Sequence, residues 1–132
     1  MPAEHFVDTN VLVYLLSADD AKADAATRLL RANAVVSVQV LNELAIVARR
    51  KCGLDWSELN EFVTGIRRVS RVIPLTVEIH EQGLALAQRY PLSIYDALIV
   101  AAAQQSDCGT LHSEDLQHGM RFGSLKVKNP FR

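Results

Sequence analysis

His5-Phe6-Val7-Asp8-Thr9-Asn10 runs an apolar pair straight into an acid, and Val11-Leu12-Val13-Tyr14-Leu15-Leu16 follows without a break. This reads as a short buried strand ending at Asp8, then a tight turn into a helix over about Asn10 to Ser17. An acid closing the first strand of an α/β fold stands where such folds collect ligands. Asp8 is therefore a candidate first ligand of an acidic metal site. Its plainer reading is the cap of the helix that follows.

Outward from this stretch, helices alternate with short β-branched runs. Asp19 or Asp20 caps a helix to about Asn33, with Ala25, Ala26, Leu29 and Leu30 on its apolar face. Val35 to Val38 reads as a second strand. Ser37 caps a helix running to about Cys52, stopped at Gly53, with Val40, Leu41, Leu44, Ala45 and Ala48 on one face. Asp55-Trp56-Ser57-Glu58 has the form of a capping box, opening a helix that buries Leu59, Phe62, Val63 and Ile66. Val72-Ile73-Pro74-Leu75 is a third strand, and its proline predicts an edge position. Thr76 caps a helix to about Tyr90. Ser93 opens the most apolar helix, expected to be buried nearly all round. Thr110-Leu111-His112 is a fourth strand, and Leu125-Lys126-Val127 a last edge strand. Strands alternating with helices predict parallel pairing and a three-layer α/β/α domain with a short-stranded sheet, one domain over residues 1–132.

Composition narrows the function classes. The 132 residues are 49% apolar, with 14 basic and 15 acidic residues and a net charge of −1. Net charge thus carries no nucleic-acid signal, and such a partner needs a local basic patch. Two isolated cysteines, Cys52 and Cys108, form no CxxC pattern; they fit a reducing cytoplasm, with a disulfide between them left open. No signal peptide is visible, and the longest apolar run, Ala97 to Ala103, falls far short of the roughly 18 residues of a membrane span. The expected location is cytoplasmic.

Four acids stand out by position: Asp8, Glu43, Asp96 and Asp115. Asp8 and Asp115 closely follow strands, and Glu43 and Asp96 lie early in helices. In a parallel sheet all strand C-termini meet one edge, so these acids can share a cleft. Clustered carboxylates repel unless protonated or neutralised by a cation. Oxygen-only ligands select hard ions, Mg²⁺ or Mn²⁺, which serve phosphodiester hydrolysis. Each acid also has a plain reading: Glu43 at the border of a buried face, Asp96 three after Ser93 at capping-box spacing, Asp115 beside Glu114 in an exposed loop.

Val7-Asp8-Thr9-Asn10-Val11-Leu12, Asn42-Glu43, Ser93-Ile94-Tyr95-Asp96-Ala97-Leu98-Ile99, Leu111-His112-Ser113-Glu114-Asp115-Leu116 and Asn129-Pro130-Phe131 together resemble, in order, the PIN-domain ribonucleases, in particular VapC-type toxins of toxin–antitoxin modules. The resemblance implies that Asp8, Glu43, Asp96 and Asp115 hold Mg²⁺ or Mn²⁺ and support RNA cleavage. It implies that Ser113 orients water or a ligand, and that Thr9 and Asn10 steady the first ligand. It also implies a homodimer, and a cognate antitoxin that blocks the acidic cleft. A groove between the helices at residues 20–33 and 55–69 is one place for that partner, although their apolar faces also suit the core. Many family members carry a further acid three residues after Asp115, where this chain has His118.

Arg49, Arg50 and Lys51 close one helix and are candidate RNA contacts, with Arg67, Arg68 and Arg71 and the tail residues Arg121, Lys126, Lys128 and Arg132 as further cations. Basic residues at helix C-termini equally complement the helix dipole. His5, His80, His112 and His118 lack metal-ligand spacing, and His80, on a face with Gly83, Leu84 and Ala87, is expected to be packed. Two rivals remain. An acidic-cleft phosphatase or phosphoacceptor needs a paired Asp or a late Lys, and no Lys stands near Asp115. A non-catalytic RNA- or protein-binding module would be marked by loss of acids, and all four are present.

Overall fold

The structure, a computed structural model, describes residues 3–132. The strands are β1 (His5–Val7), β2 (Ala34–Ser37), β3 (Arg71–Ile73), β4 (Thr110–His112), β5 (Arg121–Phe122) and β6 (Leu125–Lys128). The helices are α1 (Thr9–Leu12), which continues as a 3₁₀ turn (Val13–Leu16), α2 (Asp20–Arg31), α3 (Val38–Arg50), α4 (Trp56–Val69), α5 (Val77–Arg89) and α6 (Ile94–Gln105). One sheet runs β3-β2-β1-β4-β6-β5, parallel throughout except for β5.

This order fixes the layers. The crossovers from β1 to β2 and from β2 to β3 step in one direction, and the crossover from β3 to β4 steps back past β2 and β1. Right-handed connections then place α2, α3 and α4 on one face and α5 and α6 on the other. The packing agrees, with α4 against α2 and α3, and α5 along α6. The sheet core is Phe6, Val7, Val35, Val36 and Leu111, all with no solvent exposure. Between β1 and β4 the strand order reverses. That switch point opens a crevice at the strand C-termini, where parallel sheets bind ligands.

Local signals explain most boundaries. Asp19, Ser37, Asp55, Thr76 and Ser93 each accept a hydrogen bond from the third backbone N–H of their helix. Asp55 and Glu58 form the complete reciprocal box. Gly53, at φ +68°, ends the α3 region in a conformation that side chains disfavour. β3 lies at the sheet edge, with Pro74 just beyond it.

Four expectations are corrected. β6 is not an edge strand: the chain turns back at Gly123, and the two-residue β5 pairs antiparallel outside it. α6 is buried over Ala97–Ala103, yet its first turn exposes Ile94 and Tyr95. His80 is exposed: α5 buries only the stripe through Ile79 and Gly83, and position 80 lies about 100° round the helix from 79. On α4 only Leu59 and Ile66 are fully buried, with Phe62 and Val63 partly so. Cys52 is exposed and Cys108 buried, and both are free thiols.

Candidate functional site

Asp8 follows β1 directly in extended backbone (φ −77°, ψ 160°) and caps α1. Its Oδ1 accepts from the Thr9 N–H at 2.7 Å. Oδ2 accepts from the Ser113 hydroxyl at 2.9 Å and from the Asn10 amide at 3.2 Å. Asp8 thus caps a helix and is at the same time tied to a segment 105 residues away. Asn10 also accepts from the Glu114 N–H at 2.9 Å, so it stitches the two strand ends together. The backbone does the same through the Asp8 N–H, which donates to the His112 carbonyl at 3.0 Å.

Glu43 sits in the second turn of α3, half-buried, and its Oε1 accepts from Gln39 one turn earlier at 3.0 Å. Asp96 lies in the first turn of α6, where its N–H donates to the Ser93 hydroxyl at 3.1 Å. Asp115 is exposed in the loop after β4. All four acids line one pocket of about 400 Å³ at the switch point. Thr9 and Asn10 line it too, while Ser113 is fully buried beneath it.

The pocket holds side chains that the sequence reading did not single out. Glu114 is a fifth acid in its lining. The Tyr14 hydroxyl donates to Glu114 Oε1 at 2.7 Å, Lys22 Nζ stands 3.9 Å from Oε2, and Phe131 meets the Tyr14 ring edge-on at 4.7 Å. Of the three candidate RNA contacts, only Lys51 reaches the pocket. Arg49 donates to the Leu54 carbonyl and lies 4.2 Å from the centroid of the exposed Trp56 ring; it lines a separate groove with Arg50. His118 accepts a hydrogen bond at Nδ1 from the Asn129 N–H at 3.0 Å, so it anchors the tail that carries Phe131.

The electrostatics are those of crowded anions. Burial drives the Asp8 carboxyl up from 3.8 to about 7; Ser113 and the Thr9 N–H oppose this, and Glu43 and Asp96 add to it. Burial raises Glu43 and Asp96 as well, and each is raised further by Asp115. A donor set made only of carboxylates, in which Glu43 and Asp96 raise Asp8, and Asp115 raises Glu43 and Asp96, suits a hard divalent cation that relieves the repulsion. Among the described residues no three such side chains are arranged to hold a metal ion as they stand. The donors fit a hard cation in their chemistry.

The PIN domain family matches residues 5–119, most of the chain. The chain belongs to the PIN-domain family. Its PIN fold is shared with the sarcin-ricin loop cleaving toxin VapC20 of Mycobacterium tuberculosis, at 27% identity and TM-score 0.69 over 84% of this chain and 89% of that one. A toxin–antitoxin complex from Klebsiella pneumoniae matches at 22% identity and TM-score 0.73, covering 96% and 97%. VapBC2 of Rickettsia felis, solved on a fragment of its promoter DNA, matches at 18% and TM-score 0.71, covering 96% and 98%. No curated protein matches. As a PIN domain with a parallel-dominated sheet between helical layers, the molecule has the architecture expected from its sequence. Among the described residues, no helix is long and apolar enough to cross a membrane.

Proposed function

We propose that this PIN domain is a divalent-metal-dependent endoribonuclease acting as the toxin of a toxin–antitoxin pair. The observation that carries the reading is the gathering of Asp8, Glu43, Asp96 and Asp115 in one pocket, with the Asp8 carboxyl driven up to about 7. These four acids would hold Mg²⁺ or Mn²⁺. Bound there, the ion supplies charge neutralisation at a phosphodiester and a water of lowered pKa. The protein's own part is to keep the donors aimed. Ser113, Asn10 and the Thr9 N–H fix Asp8 from three sides, Gln39 restrains Glu43, and Ser93 fixes the start of the helix bearing Asp96.

The likeness to VapC20 and to solved toxin–antitoxin complexes supports RNA as substrate and a cognate antitoxin as partner. The face between α2 and α4 offers that partner little, since Ala26, Leu30, Leu59 and Ile66 are buried. The exposed Ile46 and Trp56 beside it give an antitoxin an apolar foothold. Val77 and Leu84, seven residues apart on α5, form an exposed stripe for a second copy of the chain.

The test is cleavage of RNA by purified protein. Activity is expected with Mg²⁺ or Mn²⁺, none in EDTA, and a loss of about a hundredfold or more in Asp8→Asn. Equal cleavage in all three would end the metal mechanism. No cleavage with RNA binding intact would favour a non-catalytic binding module.

A further inference from the structure

The pocket that gathers the acids has a second wall of different chemistry. Val13 and Tyr14 from the 3₁₀ turn line it, with Val47 and Lys51 from α3. Val47 and Lys51 are one turn apart on the same helix face, and the Lys51 N–H closes that turn on the Val47 carbonyl at 2.8 Å. The Tyr14 ring is held in place from three directions. Its hydroxyl is committed to Glu114, Phe131 packs against its edge, and the Lys22 ammonium lies 4.7 Å from its centroid. The valine methyls and the tyrosine ring thus form an apolar surface whose one polar group is already engaged.

Lys51 completes the wall. It is exposed and shares the pocket with five acids, yet it makes no ion pair within 4.0 Å among the described residues. An apolar surface beside an unpaired ammonium, opening onto an acidic site, matches an unpaired nucleotide: a flat base followed by a phosphate. A peptide would need an acid placed beside an apolar residue to meet both features, whereas every nucleotide carries its base and its phosphate together.

We propose that Val13, Tyr14 and Val47 form a subsite for the base of one unpaired nucleotide next to the cleaved phosphate, and that Lys51 contacts that nucleotide's phosphate. This rests on the RNA-cleaving reading above and adds to it a seat for one unpaired base, with no identity required of that base. The side chains of Val13, Tyr14 and Val47 offer no free donor or acceptor to read a base edge, and the Lys51 ammonium faces the phosphate, so any base packs on this surface. A base inside a duplex has both faces covered by its neighbours and is excluded.

The test is fluorescence anisotropy with the full chain and a labelled single-stranded oligoribonucleotide in EDTA, where the metal-dependent reading allows no cleavage. An abasic ribose is walked through each position in turn. One abasic position and Val47→Ser are each expected to weaken binding about tenfold, and their combination scarcely more than either alone. Changing the base at that position among the four should leave binding the same within about twofold. Val47→Ile, which keeps the surface apolar, should bind like the original protein, and this separates loss of the wall from loss of fold. Lys51→Ala should weaken binding of every such RNA severalfold and lower the salt slope by about one. Additive losses from Val47→Ser and every abasic position overturn the subsite, as does equal affinity for duplex and single strand. RNA cleaved with Mn²⁺ while the losses add leaves the nuclease reading standing without the subsite. RNA neither bound nor cut ends both.

Discussion

Asp8 and Asp55 each cap a helix, and they stand in opposite surroundings. Both have extended backbone, at φ −77° and −76°, and both carboxylates accept a backbone N–H from their own helix. Asp55 is exposed, and its reciprocal partner Glu58 lies three residues away, so the pair serves α4 alone. Asp8 is 4% exposed, tied to Ser113 across 105 positions, and within the field of Glu43 and Asp96. A cap in water favours folding. The buried one disfavours folding while its carboxylate is charged, because desolvation outweighs its hydrogen bonds. The comparison teaches that local chemistry does not separate structure from function here. What surrounds the carboxylate does.

The largest effect expected from this contrast is on the stability of the metal-free protein. The folded chain holds the Asp8 proton up to about pH 7, and the unfolded chain releases it near its ordinary value of 3.8. Between those values the folded state binds more protons, so this group's contribution is favourable below pH 3.8 and is lost as pH rises through about 7. The full swing is of order 4 kcal/mol. In EDTA, Asp8→Asn is therefore expected to raise unfolding free energy at pH 7.5 by up to about 4 kcal/mol, with the gain shrinking as pH falls toward 4. Urea unfolding of the two proteins across this range measures it. His112, edge-on to His5 at 4.8 Å and held down near 4 by burial, gives the opposite slope between about 4 and 6.5. It is present in both proteins, so it drops out of the difference. A variant no more stable than the original protein at pH 7.5 would break the contrast.

A smaller effect belongs to the exposed cap. Asp55→Ala is expected to cost about 1 kcal/mol at pH 7.5, read by the same unfolding assay. Smaller again, Glu58→Ala removes only the return half of the box and should cost a few tenths of a kcal/mol. A loss of RNA cleavage in either variant beyond its loss of stability would place α4's start in the site after all.

The parts of the fold that were legible in the sequence are those with a local cause. Strand β1, the caps at Ser37, Thr76 and Ser93, and the box at Asp55 all follow from neighbours within four residues. Asp8 and Asp115 were legible for a different reason: in a parallel sheet, position after a strand already states which edge a residue occupies, whereas Glu43 and Asp96 stood out as acids early in helices with apolar surroundings. Glu114 and Tyr14 were not, because their contact spans 100 positions and no periodicity signals it. β5 is two residues long, too short for any alternation. His80 was misassigned because a helical wheel gives relative positions around the axis without saying which narrow stripe meets α6. Gly83 marks that stripe: a Cβ there would come 2.8 Å from Leu98 Cδ2.

The central claim is that Asp8 belongs to a shared cation site and Asp55 does not. Isothermal titration calorimetry of Mn²⁺ into the original protein, Asp8→Asn and Asp55→Asn at pH 7.5 tests it directly. Binding is expected in the original protein and in Asp55→Asn with equal affinity, and its loss or a weakening of at least about tenfold in Asp8→Asn. No binding in the original protein, or equal binding in all three, would contradict the account.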